Sequence, residues 1–466
     1  MGVVTCLKDA TKSRIRQGVD DLARAPSRAR WGRGGYAPPR MGPTRHLLTR
    51  LAIALAVLLA LPATAGAHAS LKVSEPAADS IVQVAPGAVT LEFSGNVVAG
   101  PGTIQIFGPN EKNVETGAPT PSKGNSISQA FDGTETGTYG VGYRVSSEDG
   151  HVISGSFTFS VGAESEGGGA DAAAGAGDVD RKLQVAFSMT RFVEVVALLI
   201  AAGGGLFACV IAPGWRPRLV IAALITLLLA YAAGFVIDTA ILQGVGIGDA
   251  LDADALGATA DTPFGRSLKI RALIAVIAIG PALLLRANTA LPNGARYALA
   301  TVFVGLAASL SITGHAVTTE PTWLRMPLDM VHVTAAAIWI GGLLQLAYLA
   351  PFATTYIDAI TRFSRLAFAS VVVILLTGIY ATYAELGTSV RELLDSTYGR
   401  IIVAKLALYL GTMPLAWNNM SAFVPQVTRR PEDAPRMLRQ YVWRELFLVV
   451  VVVALTVWLI ATPQPK

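Results

Sequence analysis

The chain has 466 residues, of which 52% are hydrophobic and 15% charged, with a formal net charge of +5. That proportion is too apolar for an ordinary soluble protein and points to a membrane protein of two or three domains. Much of the positive charge sits in the first forty residues and makes no case for nucleic-acid binding, and two cysteines, Cys6 and Cys209, exclude a disulfide framework in an exported part.

Residues 1–40 hold nine Lys/Arg against three Asp and show no apolar periodicity. They read as a basic N-terminal extension before a second start at Met41, either a mis-set start or a long n-region, and a nucleic-acid-binding arm is the other reading. Residues 41–67 form a signal peptide, with a basic n-region, an apolar run at 51–61 too short to span a bilayer, and Ala65-Gly66-Ala67 at the cleavage positions. Cleavage there makes His68 the new N-terminus, where its α-amine and imidazole offer two adjacent nitrogen donors.

Between 68 and 162 the alternating runs at 89–95, 103–107, 138–147 and 153–161 are separated by Pro, Gly and Asn. About seven such strands predict an exported all-β sandwich, an Ig-like or cupredoxin-like Greek key. Residues 163–182 have neither periodicity nor bulk and read as a flexible linker. From 183 to 466, apolar runs at 187–211, 219–242, 267–286, 297–316, 327–350, 364–386, 399–420 and 442–461 predict an all-α polytopic domain of about eight transmembrane helices. The signal peptide places the sandwich outside the cell membrane. A modest excess of arginine then falls on inner loops, against outer-loop cations that include Arg266, Lys269, Arg271 and Arg325.

Of five histidines, His46 leaves with the signal peptide. In the sandwich, His151 follows Asp149 by two residues at a turn between two strands. One amine, the imidazoles of His68 and His151 and the Asp149 carboxylate make a nitrogen- and oxygen-rich set that suits tetragonal Cu(II), and residues 68–162 hold no Cys or Met to favour Cu(I). The plain alternative is a hairpin turn at Asp149-Gly150 with a solvated His151. In the membrane domain, His315 ends the fourth span and His332 lies near the start of the fifth, both in the outer third of the bilayer. Asp329 is i−3 from His332, and Met326 and Met330 stack at i,i+4 on a neighbouring stripe. Ionisable groups within a span read as functional, against the alternative of interfacial hydrogen bonding for the polar groups and ordinary packing for the methionines. Arg191 and Glu194 are spaced for an ion bridge, and Lys405 snorkels.

The segments SEPAADSIVQVAPGAVTLEFSGNV, after His68-Ala69, and YGVGYRVSSEDGHVISGSFTFSVG resemble the CopC copper-binding domain along its whole length. The resemblance implies Cu(II) held by the amine and imidazole of His68, by His151 and by Asp149, without the methionine-rich Cu(I) segment of some relatives. TGHAV, DMVHVTAAAIWIGGL, FSRLA, LLTGIYATY and YGRIIVAKLAL resemble the CopD copper-resistance membrane family over most of 185–461, with His315 and His332 in matching phrases. The chain resembles the fused form of the two.

The expected function is capture of Cu(II) outside and its passage to or across the membrane domain, in copper import, homeostasis or resistance. The expected partners are copper ions, the lipid bilayer and other copper-handling proteins. No P-loop is present to drive it with nucleotide. A copper chaperone for oxidase assembly and a haem-binding electron carrier with His315 and His332 as axial ligands are the alternatives. An oxidative copper enzyme is not expected, because Asp149 as a third ligand would fill the position that oxygen needs.

Overall fold

The computed structural model describes residues 70–460 apart from 101, 148–151, 166–168, 216, 288–289, 313–320 and 387–393. The signal peptide and the basic extension lie outside the described residues.

Among the described residues nine strands build the N-terminal domain: β1 (Leu71–Glu75), β2 (Ile81–Val82), β3 (Ala88–Phe93), β4 (Val97–Val98), β5 (Ile104–Phe107), β6 (Thr120–Lys123), β7 (Ser126–Ala130), β8 (Gly137–Ser147) and β9 (Val152–Val161). One sheet has the order β1-β3-β7-β6. The other runs β2-β9-β8-β4, with β5 also pairing β8, and β2 pairs with β9 in parallel. The two-residue side-chain period sorts β8 into two faces. Tyr139, Val141, Tyr143 and Val145 are buried in the core, where Tyr139 stacks on Phe159 at 5.4 Å and Phe131 meets both rings edge-on. The intervening positions, Gly140, Gly142 and Arg144, face the other way.

That second face carries a helix where the sequence predicts a flexible linker. Residues Ala170–Gly177 form α1, which lies across β8 and β9. A Cβ at Gly140 would strike the Gly169 carbonyl, and one at Gly142 would come within 2.7 Å of Ala173 O. Small residues on both partners let the backbones touch, so the segment docks through close approach rather than through the bulky side chains whose absence suggested a tether.

The helical domain follows: α2 (Arg181–Leu206), α3 (Arg218–Gln243), α4 (Ala253–Ala260), α5 (Pro263–Ala287), α6 (Asn293–Ala308), α7 (Thr322–Leu349), α8 (Ile357–Leu386), α9 (Thr397–Asn418), α10 (Val424–Arg429) and α11 (Ala434–Ile460). Seven helical segments among the described residues are long and apolar enough to cross a membrane. The eighth predicted run falls on α11. The helices pack on small residues, as membrane helices do: a Cβ at Gly203 of α2 would strike Ala337 O of α7, and one at Gly341 of α7 would strike Leu199 O of α2.

The sandwich sits on one end of this bundle. Arg144 lies against Gly244, the left-handed residue (φ 66°) that closes α3, and Gly100 lies beside Ala258 of α4. The C-terminus of α3 and the N-terminus of α5 therefore mark the sandwich end, and the β8–β9 hairpin is the strand pair packed against it.

Candidate metal centre

Among the described residues, His332 is the histidine that the structure places. It lies ten residues into α7, about 15 Å along the helix. This is deeper than the sequence suggests, because α7 begins at Thr322 rather than at 327 and carries Pro327 within it. The ring is half-buried, and its Nδ1 meets Thr377 Oγ1 of α8 at 2.8 Å.

The Thr377 hydroxyl bears on which ring nitrogen is free. With its one proton on Val373 O, at 2.7 Å, the hydroxyl has only lone pairs to offer toward His332. In that arrangement Nδ1–H donates to Oγ1, and the lone pair of neutral His332 is at Nε2. A metal-binding imidazole needs this arrangement, with one nitrogen anchored by a neighbouring oxygen and the other presented to the ion. Gly378 leaves room beside the ring, its Cβ position 3.7 Å from Cε1.

Met326, Asp329 and Met330 are half-buried on the same helix, and Lys405 of α9 lies within electrostatic reach of the imidazole. His315, His68, Asp149 and His151 lie outside the described residues. Among the described residues no group of three or more His, Cys, Asp or Glu gathers at metal-binding distance.

A second polar centre crosses α2, α3 and α5. Arg191 grips Glu194 through two hydrogen bonds of 2.8 and 2.9 Å, and Arg271 of α5 donates to the same carboxylate. Arg271 is fully buried, 5.0 Å from the centre of the Tyr231 ring, and Asp238 is buried nearby on α3. The Arg191–Glu194 pair is legible from its spacing. Arg271 and Arg325, by contrast, are not outer-loop cations: both are buried within helices, at 0% and 5% exposure. The available signal is that Arg271 falls inside an apolar run. Sequence reasoning misses Thr377, Asp238 and Glu445, and it misses Arg144 as a contact to the helical domain.

A polytopic helical domain bearing a β-sandwich, with an imidazole presented from within the bundle, defines a two-part membrane protein. Residues 71–162 match the CopC domain, 182–326 the N-terminal domain of copper resistance protein D-like proteins, and 357–459 copper resistance protein D. The chain belongs to the CopC–CopD copper-resistance family, in its fused form. Asp329, Met330 and His332 fall between the two membrane-domain matches. The copper transport protein CutJ of Bacillus subtilis (strain 168) is 27% identical over 376 residues, 77% of this chain and 68% of that one. Protein YobA of Escherichia coli (strain K12) is 37% identical over 118 residues, 24% of this chain and 93% of YobA. Among solved structures, CopC from Methylosinus trichosporium OB3b is 28% identical, with 22% of this chain and 98% of that one covered and a TM-score of 0.19. PcoC, a methionine-rich copper resistance protein from Escherichia coli, is 29% identical, with 20% and 99% covered and a TM-score of 0.18.

Proposed function

We propose that this protein captures Cu(II) outside the cell membrane on its sandwich and passes copper into its helical domain at His332. The sandwich ligands are the amine and imidazole of His68 with Asp149 and His151. His315 joins His332 on the path, and Met326, Asp329 and Met330 form its entrance. The observation that carries the reading is the anchored imidazole: a half-buried histidine in a membrane helix whose Nδ1 is committed to Thr377 leaves Nε2 for an ion. The docking of the sandwich on the bundle supports it further. Asp149 and His151 lie in sequence between Ser147 of β8 and Val152 of β9, the hairpin packed against the helical domain.

Copper uptake into vesicles containing the full chain tests the reading. His332→Ala should abolish uptake while Cu(II) binding outside persists. Unchanged uptake in that variant, or a Soret band in the purified protein, would overturn it.

A further inference from the structure

Among the described residues the bundle buries two glutamates, and their surroundings are opposite in kind. Glu194 accepts from two guanidinium groups. Glu445 of α11, 8% exposed, accepts from the Asn419 amide, and no Lys, Arg or His among the described residues forms an ion pair with it. It lines a cavity of about 30 Å³ at the end of the bundle away from the sandwich, room for a water molecule. Leu346 of α7, Phe363 of α8 and Tyr441 of α11 share that lining. Asn419 opens a five-residue π-helical turn, Asn419–Phe423, a local departure that recurs at functional sites.

An ionised carboxylate with one neutral donor, enclosed by apolar side chains, is too costly to persist without a compensating positive charge. The lining decides which charge. Glu445, Asn419, Ser364 and Tyr441 supply too few oxygens to replace the six or so around a hard metal cation, and there is no sulfur or imidazole for a soft one. A proton needs a single oxygen.

We propose that Glu445 is a proton-binding site of the membrane domain, and that its proton is exchanged with water at this end of the bundle as copper moves. Its carboxyl group holds the proton while the cavity is closed and releases it to water when the cavity opens, becoming a carboxylate. The other titratable group of the lining is Tyr441, over which the exposed Arg444 lies at 5.8 Å. On the neighbouring helices, Glu194 is engaged by Arg191 and Arg271, His332 by Thr377, and the Tyr409 hydroxyl by Val371 O. Lys405 lies by His332, and Arg362 and Arg365 of α8 are exposed. The coupling to copper rests on the function proposed above; the protonation of Glu445 does not.

Infrared difference spectra of the full chain in lipid vesicles, recorded across pH, test the site. A protonated-carboxyl band that titrates in the wild type, vanishes in Glu445→Gln and survives in Asp238→Asn, the variant of the other buried carboxyl outside an ion pair among the described residues, is the expected result. Its presence unchanged in Glu445→Gln, or its absence from the wild type, overturns the proposal. Glu445→Gln keeps the shape of the side chain, and an unaltered thermal unfolding profile shows that it folds. Coupling is read with a pH-sensitive dye inside the vesicles: copper addition should move protons in the wild type and at least tenfold fewer in Glu445→Gln. Equal proton movement in both overturns the coupling. A wild type that moves no copper overturns the function proposed above, while the infrared band still decides the site.

Discussion

The guanidinium of Arg144 donates a 2.6 Å hydrogen bond to the carbonyl of Asp178, and a second, of 3.3 Å, to that of Gly175. These carbonyls close the C-terminal end of α1, where a cation is favoured both as a donor and by the helix dipole. The same side chain rests on Gly244 at the end of α3. One buried arginine thus joins a strand of the sandwich, the connecting helix and a membrane helix. Burial lowers its proton affinity somewhat, against the opposing field of Asp178.

Arg144→Met should release α1 while leaving the sandwich folded. Hydrogen bonds from a charged donor contribute about 1.5–3 kcal/mol each, so amide exchange across 170–178 should quicken by at least tenfold. Copper delivery to the helical domain should fall with Cu(II) binding unchanged. Exchange at the wild-type rate would show that Arg144 does not hold the helix.

Gly140→Val tests the docking from the opposite side. The added side chain meets the Gly169 carbonyl, and overpacking of this kind costs about 1–3 kcal/mol. Proteolysis should then cut within Ala170–Gly177 faster than in the wild type. Gly175→Ala is the control: nothing lies within 4 Å of its Cβ position, and the better helix former should raise stability by about 1 kcal/mol.

These residues also show where the sequence stops being informative. The strands of the sandwich and the spans are legible because burial imposes a period on β8 and a sustained apolar run on each span. The docking of α1 is not, since it depends on glycines at alternate positions of β8 meeting small residues on a helix, and neither pattern alone signals contact. His332 is legible as an ionisable group in an apolar run, whereas Thr377, 45 residues later, is an ordinary helix residue until the fold sets the two side by side. The charge of Arg271 draws it toward a loop, and only the position of Glu194 explains why it is buried.

Glu194→Gln should be among the most damaging single changes in the helical domain. It removes the charge between Arg191 and Arg271, and Arg271 already has two buried donors, Nε and Nη1, without partners. Breaking a buried pair from one side costs about 3–5 kcal/mol. Thermal unfolding in detergent should drop accordingly, and the double variant Glu194→Gln with Arg271→Met should recover part of the loss. A double variant no more stable than the single one would mean that the pair is not coupled.

Thr377→Val separates the two roles of His332. Valine keeps the volume of threonine and removes the oxygen that holds Nδ1–H, so the ring loses its orientation and its preferred tautomer while both helices keep their packing. Losing such a support typically lowers metal affinity by about 10–100-fold, and copper uptake at limiting copper should fall within that range. Thr377→Ser retains the hydroxyl, with Val373 O still available to take its proton, and should restore uptake to near the wild-type level. A fall in both variants would mean that packing of the threonine methyl matters rather than its oxygen. Full activity in Thr377→Val would show that His332 binds copper without a fixed ring, or does not bind it. Uptake in His332→Ala distinguishes these two outcomes, since only a ligand is missed when the imidazole itself is gone.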